Sequence, residues 1–155
     1  NKSIIRDLKT PWASSNQFDL FKRYVEFRHD KGGMSGMNEA EFTSMIEETS
    51  VNTILCEYSL QKSGSKSIIA ASLTDIIEDG LSMVYSFYEP KLAELSLGKY
   101  MILDHINLAR EMALPYLYLG YCLYLYLILK KGCRLLLFQH WRLRNQYYQQ
   151  FLKIR

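Results

Sequence analysis

A chain of 155 residues is long enough for one domain with a proper core and too short for two comfortable ones. Hydrophobic residues make up 48% and charged residues 23%, a globular balance that excludes disorder as the ground state. The formal charge of +3 is uneven: residues 1–129 carry 12 Lys/Arg against 16 Asp/Glu, while residues 130–155 carry 7 Lys/Arg and no acid, so a nucleic-acid role argued from charge rests on the tail alone.

No basic stretch followed by an apolar run opens the chain, and no secretory signal is expected. Cys56, Cys122 and Cys133 are odd in number and widely spaced. They suggest neither a disulfide framework nor a metal site, and a reducing, cytoplasmic location is the simple inference.

Ser14 and Ser15 precede an amphipathic run with Phe18, Leu20, Phe21, Tyr24 and Val25 at helical spacing, predicting a helix from about residue 15 to 29. It closes at Lys31-Gly32-Gly33, where glycine supplies left-handed geometry. A short helix follows Asn38 over Glu39 to Glu48, with Phe42, Met45 and Ile46 inward. The pattern then turns to strands. Val51 to Tyr58 alternates loosely, Gln61 to Ser67 reads as a polar turn, and Ile68 to Ile77 is an apolar run of strand length.

Glu78-Asp79-Gly80 is a hairpin signal, and Leu81 to Tyr88 is its second strand, bounded by Glu89-Pro90. The longest clear helix covers Ser96 to Met112. Ser96 is expected to cap it, with Leu97, Met101, Ile102, Ile106, Leu108 and Ala109 buried. Pro115 opens a last strand, Tyr116 to Leu119. Two antiparallel strands, a helix, and a strand parallel to the second give an α+β class, a mixed sheet flanked by helices, in the order found in GNAT acyl-N-acyltransferases.

Four stretches carry a resemblance. They are Phe27-Arg28-His29 with Gly32-Gly33-Met34; Leu73-Thr74-Asp75 with Asp79 to Pro90; Ser96 to Leu103; and Leu114 to Tyr121. Together, over about residues 5 to 121, they resemble the C-terminal catalytic domain of the arginyl- and leucyl-tRNA–protein transferases. The resemblance divides the chain into a GNAT-like catalytic domain at 1–121 and a divergent tail at 122–155, either completing the sheet or poorly ordered. After Tyr121 the family continues with a Trp, a Gly-Ser turn, Lys-Met-x-Tyr-Lys and Arg-Phe-x-Pro. Here Cys122-Leu123-Tyr124-Leu125 stands instead.

The reaction so implied is attack by a protein's α-amine on the ester that joins an amino acid to the tRNA 3′ end. That ester is already activated, so no cofactor, metal or covalent enzyme intermediate is required. Leucine from leucyl-tRNA, placed on proteins beginning with Asp or Glu, is the expected transfer. Arginine as donor is the alternative within the family, and a non-catalytic remnant the alternative outside it. A GNAT acetyltransferase is disfavoured, because Leu95-Ser96-Leu97-Gly98 stands where a coenzyme A pyrophosphate loop would.

The resemblance and the chemistry single out several residues. Ser96 and Gly98, at a helix start, are candidates for the tRNA 3′ end; a plain cap with a glycine for close packing is the competing reading. Asp75 and His29 are the catalytic candidates, to hold the amine or take its proton. A strand-end Asp serving turn backbone, and a cation at a helix C-terminus, are the bland readings of each. Arg28, Gly33, Met34, Ser86, Tyr88, Tyr118 and Tyr121 are the substrate-binding candidates; tyrosines on a buried strand are more often core. The aromatic and basic tail from Phe138 to Arg155 lies outside the family pattern. The run Leu114 to Leu129 holds five tyrosines and a glycine and falls short of the roughly 20 residues of a spanning helix, so no membrane role is expected.

Overall fold

The computed structural model, which describes residues 3–28, 32, 34–62 and 65–119, begins with a strand, β1 (Ser3–Lys9). The sequence pattern did not announce it. Ser3–Lys9 alternates only weakly, because an edge strand buries little of either face, and its side chains are exposed or half-buried. Its register comes from β2, with Ile4 opposite Leu60 and Leu8 opposite Cys56.

Helix α1 (Ser15–Arg28) starts on a reciprocal pair of bonds: Ser14 N–H donates to Gln17 Oε1 at 2.9 Å, and Ser14 Oγ accepts from Gln17 N at 3.4 Å. Helix α2 (Glu39–Glu47) repeats the device, with Asn38 Oδ1 accepting from Glu41 N and Asn38 N–H donating to Glu41 Oε2, both at 2.9 Å. Strands β2 (Thr53–Lys62), β3 (Ser65–Ile77) and β4 (Gly80–Tyr88) form an antiparallel meander. The polar turn expected over 61–67 is much shorter. Gln61 pairs with Lys66 and Lys62 with Ser65, because a polar sequence at an exposed sheet end can still keep its ladder bonds.

A 3-10 turn (Pro90–Leu95) leads into helix α3 (Leu97–Glu111), which returns the chain to β5 (Tyr116–Leu119), parallel to β4. Sheet order is β1-β2-β3-β4-β5, and the class is α+β as expected. Ser96 stands at the N-cap of α3, but its side chain makes no cap bond, contrary to expectation. The residue also ends the 3-10 turn, its N–H bonded to Ala93 O, and joining the two helices requires left-handed backbone (φ 48°, ψ 44°) rather than the extended geometry of a capping serine.

The sheet is buried on both faces. α1 and α2 cover one, where Leu20, Phe21, Phe42 and Ile46 pack on Leu55, Leu73 and Phe87. α3 covers the other, where Leu97, Met101 and Leu108 pack on Tyr58, Ala70, Leu81, Leu117 and Leu119. This explains why β3 reads as an apolar run rather than an alternation. Among the described residues no helix is long and apolar enough to cross a membrane. The expectations placed on His29, Gly33, Tyr121 and the tail at 122–155 lie outside the described residues.

Candidate active site at the Tyr88 end of strand β4

Between Leu73 and Thr74 the β3–β4 register slips: Leu73 faces Tyr85, while Thr74 faces Met83. Val84 is the extra residue, a bulge that bends the strand and re-aims the side chains beyond it. The parallel pairing with β5 runs from Gly80 opposite Tyr116 to Met83 opposite Leu119, the last described residue. From Tyr85 to Tyr88, β4 therefore has β3 on one side and, among the described residues, no strand on the other.

Helix α3 begins beside the Tyr88 end of β4. A Cβ added to Gly98 would lie 3.5 Å from the Tyr88 ring, an ordinary contact. The first turn leaves the N–H groups of Leu97 and Gly98 ahead of the first helical acceptor, Ser96 O, which takes Lys99 N at 2.9 Å and Tyr100 N at 3.0 Å. Those two N–H groups give the corner partial positive charge. Tyr24 of α1 meets Tyr88 edge-on, with ring centroids 4.9 Å apart, and Arg23 bonds Glu89 at 2.9 Å. Three elements thus converge on Tyr88.

Of the residues singled out by sequence, Tyr88, Gly98 and Ser96 come together here. Ser86 lies one pleat away, half-buried and opposite Ser72. Arg28 is exposed in the last turn of α1, and Met34 packs against the α1–α2 core. Asp75 and Tyr118 lie elsewhere. Asp75 pairs with Ser82, near the Asp79–Gly80 turn, separated from the Tyr88 pairing by roughly 17 Å of strand. Its Oδ1 accepts from Thr53 Oγ1 at 2.7 Å. Tyr118 Oη donates to Asp79 Oδ2 at 2.8 Å.

Sequence reasoning overlooked the buried polar network behind the bulge. His105 is fully buried on α3. Its Nδ1 lies 2.8 Å from Met101 O, an acceptor only, so Nδ1 carries the proton; Nε2 then accepts from Thr74 Oγ1 at 2.9 Å. Thr74 in turn is 3.2 Å from Ser72 Oγ. Tyr58 Oη approaches Nδ1 at 3.2 Å and donates to Asp104 Oδ2 at 2.8 Å, and Arg6 closes the chain on Asp104 at 3.0 Å and Glu111 at 2.9 Å. Burial lowers the pKa of His105 and raises that of the Tyr58 phenol, keeping both neutral. The Cys56 thiol, pushed up to about 12 by burial, stays protonated and is no nucleophile. The signal was present: Leu97, Met101, His105 and Ala109 recur every four residues, which places the histidine on the buried stripe.

A family model described as "Arginine-tRNA-protein transferase, C terminus" matches residues 16–125. The chain belongs to this family. Among its relatives are the aspartate/glutamate leucyltransferases of Ruegeria pomeroyi, 50% identical over 121 residues, and Cereibacter sphaeroides, 51% over 123; each alignment takes in 78% of this chain and 44% of the relative. That of Rhizobium leguminosarum is 45% identical over 128 residues, 78% of this chain and 50% of the relative. The chain thus spans about half the length of the curated relatives it matches. In this transferase-family chain the matched residues run from α1 through β5 and include the whole Tyr88–Gly98 corner.

Proposed function

We propose that this chain is the acyl-transferring part of an aminoacyl-tRNA–protein transferase, moving leucine from leucyl-tRNA to proteins that begin with Asp or Glu and so marking them for degradation. The observation that carries the reading is the juxtaposition of the α3 N-terminus with the bulged, Tyr88 end of β4. A bulged strand beside a helix start is what a GNAT-like acyltransferase needs to hold an acyl donor, and we read the fold as GNAT-like on that ground. The relatives' names supply leucine and the acidic acceptor. Charged tRNA implies a cytoplasmic setting.

In this reading the free N–H groups of Leu97 and Gly98 hold the 3′ end of the tRNA. The acyl ester lies along β4 past Tyr88 and Ser86. The acceptor's α-amine attacks the ester carbonyl carbon, the tetrahedral oxyanion collapses, and the ribose oxygen leaves with the proton that the amine gave up. His29 is the candidate for taking the amine's proton, and Arg28, Gly33, Met34 and Tyr121 for placing the substrate around it; Asp75 and Tyr118, bonded to Thr53 and Asp79 at the far end of β4, stay outside this corner in our reading. Positioning accounts for most of the acceleration, since the ester is already activated.

Gly98 offers the direct test. Among the described residues nothing demands glycine there: the missing Cβ would make ordinary contact with Tyr88, and glycine costs a helix about 0.5–1 kcal/mol relative to alanine. Gly98→Ala is therefore expected to keep or raise thermal stability while weakening leucyl-tRNA binding about tenfold, because the methyl stands where the donor approaches. Filter binding of leucyl-tRNA alongside a thermal melt measures both. Unchanged affinity in a stable variant would remove the α3 start from the donor site.

A further inference from the structure

Helix α1 buries Phe21 and half-buries Phe18, yet Phe27 on the same helix is 69% exposed. It borders a hollow of about 400 Å³, lined by Arg23, Glu26, Phe27, Glu89, Pro90 and Lys91. Arg23 spends its Nε on Glu89 Oε2 at 2.9 Å, while Glu89 Oε1 takes Lys91 N–H at 3.2 Å. Among the described residues the Arg23 terminal N–H groups, the Lys91 ammonium and the Glu26 carboxylate meet no ion-pair partner. The hollow thus offers two cationic donors, one unspent carboxylate and an exposed aromatic face. It adjoins the candidate active site directly, because Glu89 follows Tyr88 and Arg23 precedes Tyr24.

We propose that this hollow receives the N-terminal residue of an acceptor polypeptide that begins with Asp or Glu. Lys91 and the free guanidinium N–H groups of Arg23 hold the side-chain carboxylate, Glu26 holds the α-ammonium, and Phe27 with Pro90 covers the methylenes between. The assignment rests on the transferase reading for the acceptor's identity and on charge complementarity for its place. An acidic N-terminal residue carries one positive and one negative group a few bonds apart, and the pocket presents the opposite signs at the same scale. An alanine start lacks the negative group; a lysine start reverses it and meets Lys91 and Arg23 as like charges. The Arg23–Glu89 pair fixes the guanidinium plane, so that its outer edge is offered in one direction.

The test is direct binding, without tRNA, of peptides with a C-terminal fluorophore that begin with Asp, Glu, Ala or Lys, followed by anisotropy. The wild-type chain is expected to prefer Asp and Glu starts, and N-acetylation is expected to abolish the preference. Lys91→Glu should weaken Asp and Glu peptides about tenfold, leave the Ala peptide unchanged and improve the Lys peptide. Glu26→Gln should weaken every free N-terminus and spare the acetylated peptides. Equal affinity for Asp and Ala starts in the wild type, or an undiminished Asp preference in Lys91→Glu, overturns the pocket. A parallel leucine-transfer assay separates the two readings. Transfer that keeps its acidic preference in Lys91→Glu sinks the pocket alone. Selective peptide binding without transfer supports the pocket as a peptide site and overturns the transferase reading.

Discussion

Gly80→Ala is expected to lower the free energy of unfolding by about 3 kcal/mol. A Cβ at this position would lie 2.6 Å from Tyr116 O, 2.9 Å from Tyr118 Cε2 and 3.1 Å from Tyr116 C. Two of those atoms are backbone, so no rotamer change relieves the clash and β4 must move away from β5. Gly80 also closes the tight turn, paired with Ile77, and begins the parallel ladder opposite Tyr116. The strain therefore falls on the first rung of the ladder that joins β5 to the sheet. Urea unfolding measures the loss, and hydrogen exchange at Leu117 and Leu119 should show β5 opening before the rest. Ser82→Ala, half-buried on the same strand, is the control and should shift stability by less than about 1 kcal/mol. A Gly80→Ala midpoint equal to the wild type would mean that the β4–β5 approach is looser than described.

That glycine also shows what local sequence reading does well. Asp79-Gly80 between apolar runs announces a tight turn, and the strands lie where the turn requires. Asn38 with Glu41 announces a helix start, and the capping box is there. Both signals are complete within four residues. Ser96 misled because the same serine ends one helix as it begins another, and the backbone that joins them prevents the cap that its residue type suggests. β1 was silent because its partner, not its composition, makes it a strand. The candidate site was legible where residues adjacent in sequence build it, as at Gly98 and Tyr88. Asp75 and Tyr118 lie apart from that corner, and only the long-range register reveals that β3 carries Asp75 toward the Asp79–Gly80 turn.

His105→Ala is expected to cost about 3 kcal/mol, most of it from the cavity and the rest from the lost bond to Thr74 Oγ1. The wild-type histidine also makes stability pH-dependent. Burial holds its folded-state pKa below the ordinary 6.5. Between those two values the unfolded chain binds a proton that the folded chain refuses. The contribution of neutral His105 is therefore complete above about pH 6.5 and is lost as pH falls below it, by at most about 1.4 kcal/mol per unit. Asp104, which favours the charged ring, and Arg6, which opposes it, both face the network and moderate the size without reversing the sign. His105→Gln keeps a side chain able to donate and accept but cannot titrate. Its stability should be flat from pH 7.5 to 5.5 where the wild type declines. The same acid slope in both proteins would show that His105 does not cause it.

The network also bears on the site. Thr74 sits where the β3 register slips, and His105 holds its hydroxyl, so α3 and the bulge are fixed to each other as a unit. The same helix then presents Gly98 to the Tyr88 end of β4. Rigid elements placed in this way suit a reaction whose main demand is position rather than an activated nucleophile.

The most direct test of the account is transfer of labelled leucine and, separately, labelled arginine from charged tRNA to peptides beginning with Asp, Glu or Ala, by this chain shown to be folded. The account predicts leucine on the Asp and Glu peptides, none on the Ala peptide, and no arginine on any. Arginine on the acidic peptides would contradict the donor assignment, and no transfer of either amino acid would contradict the catalytic reading of the Tyr88–Gly98 corner.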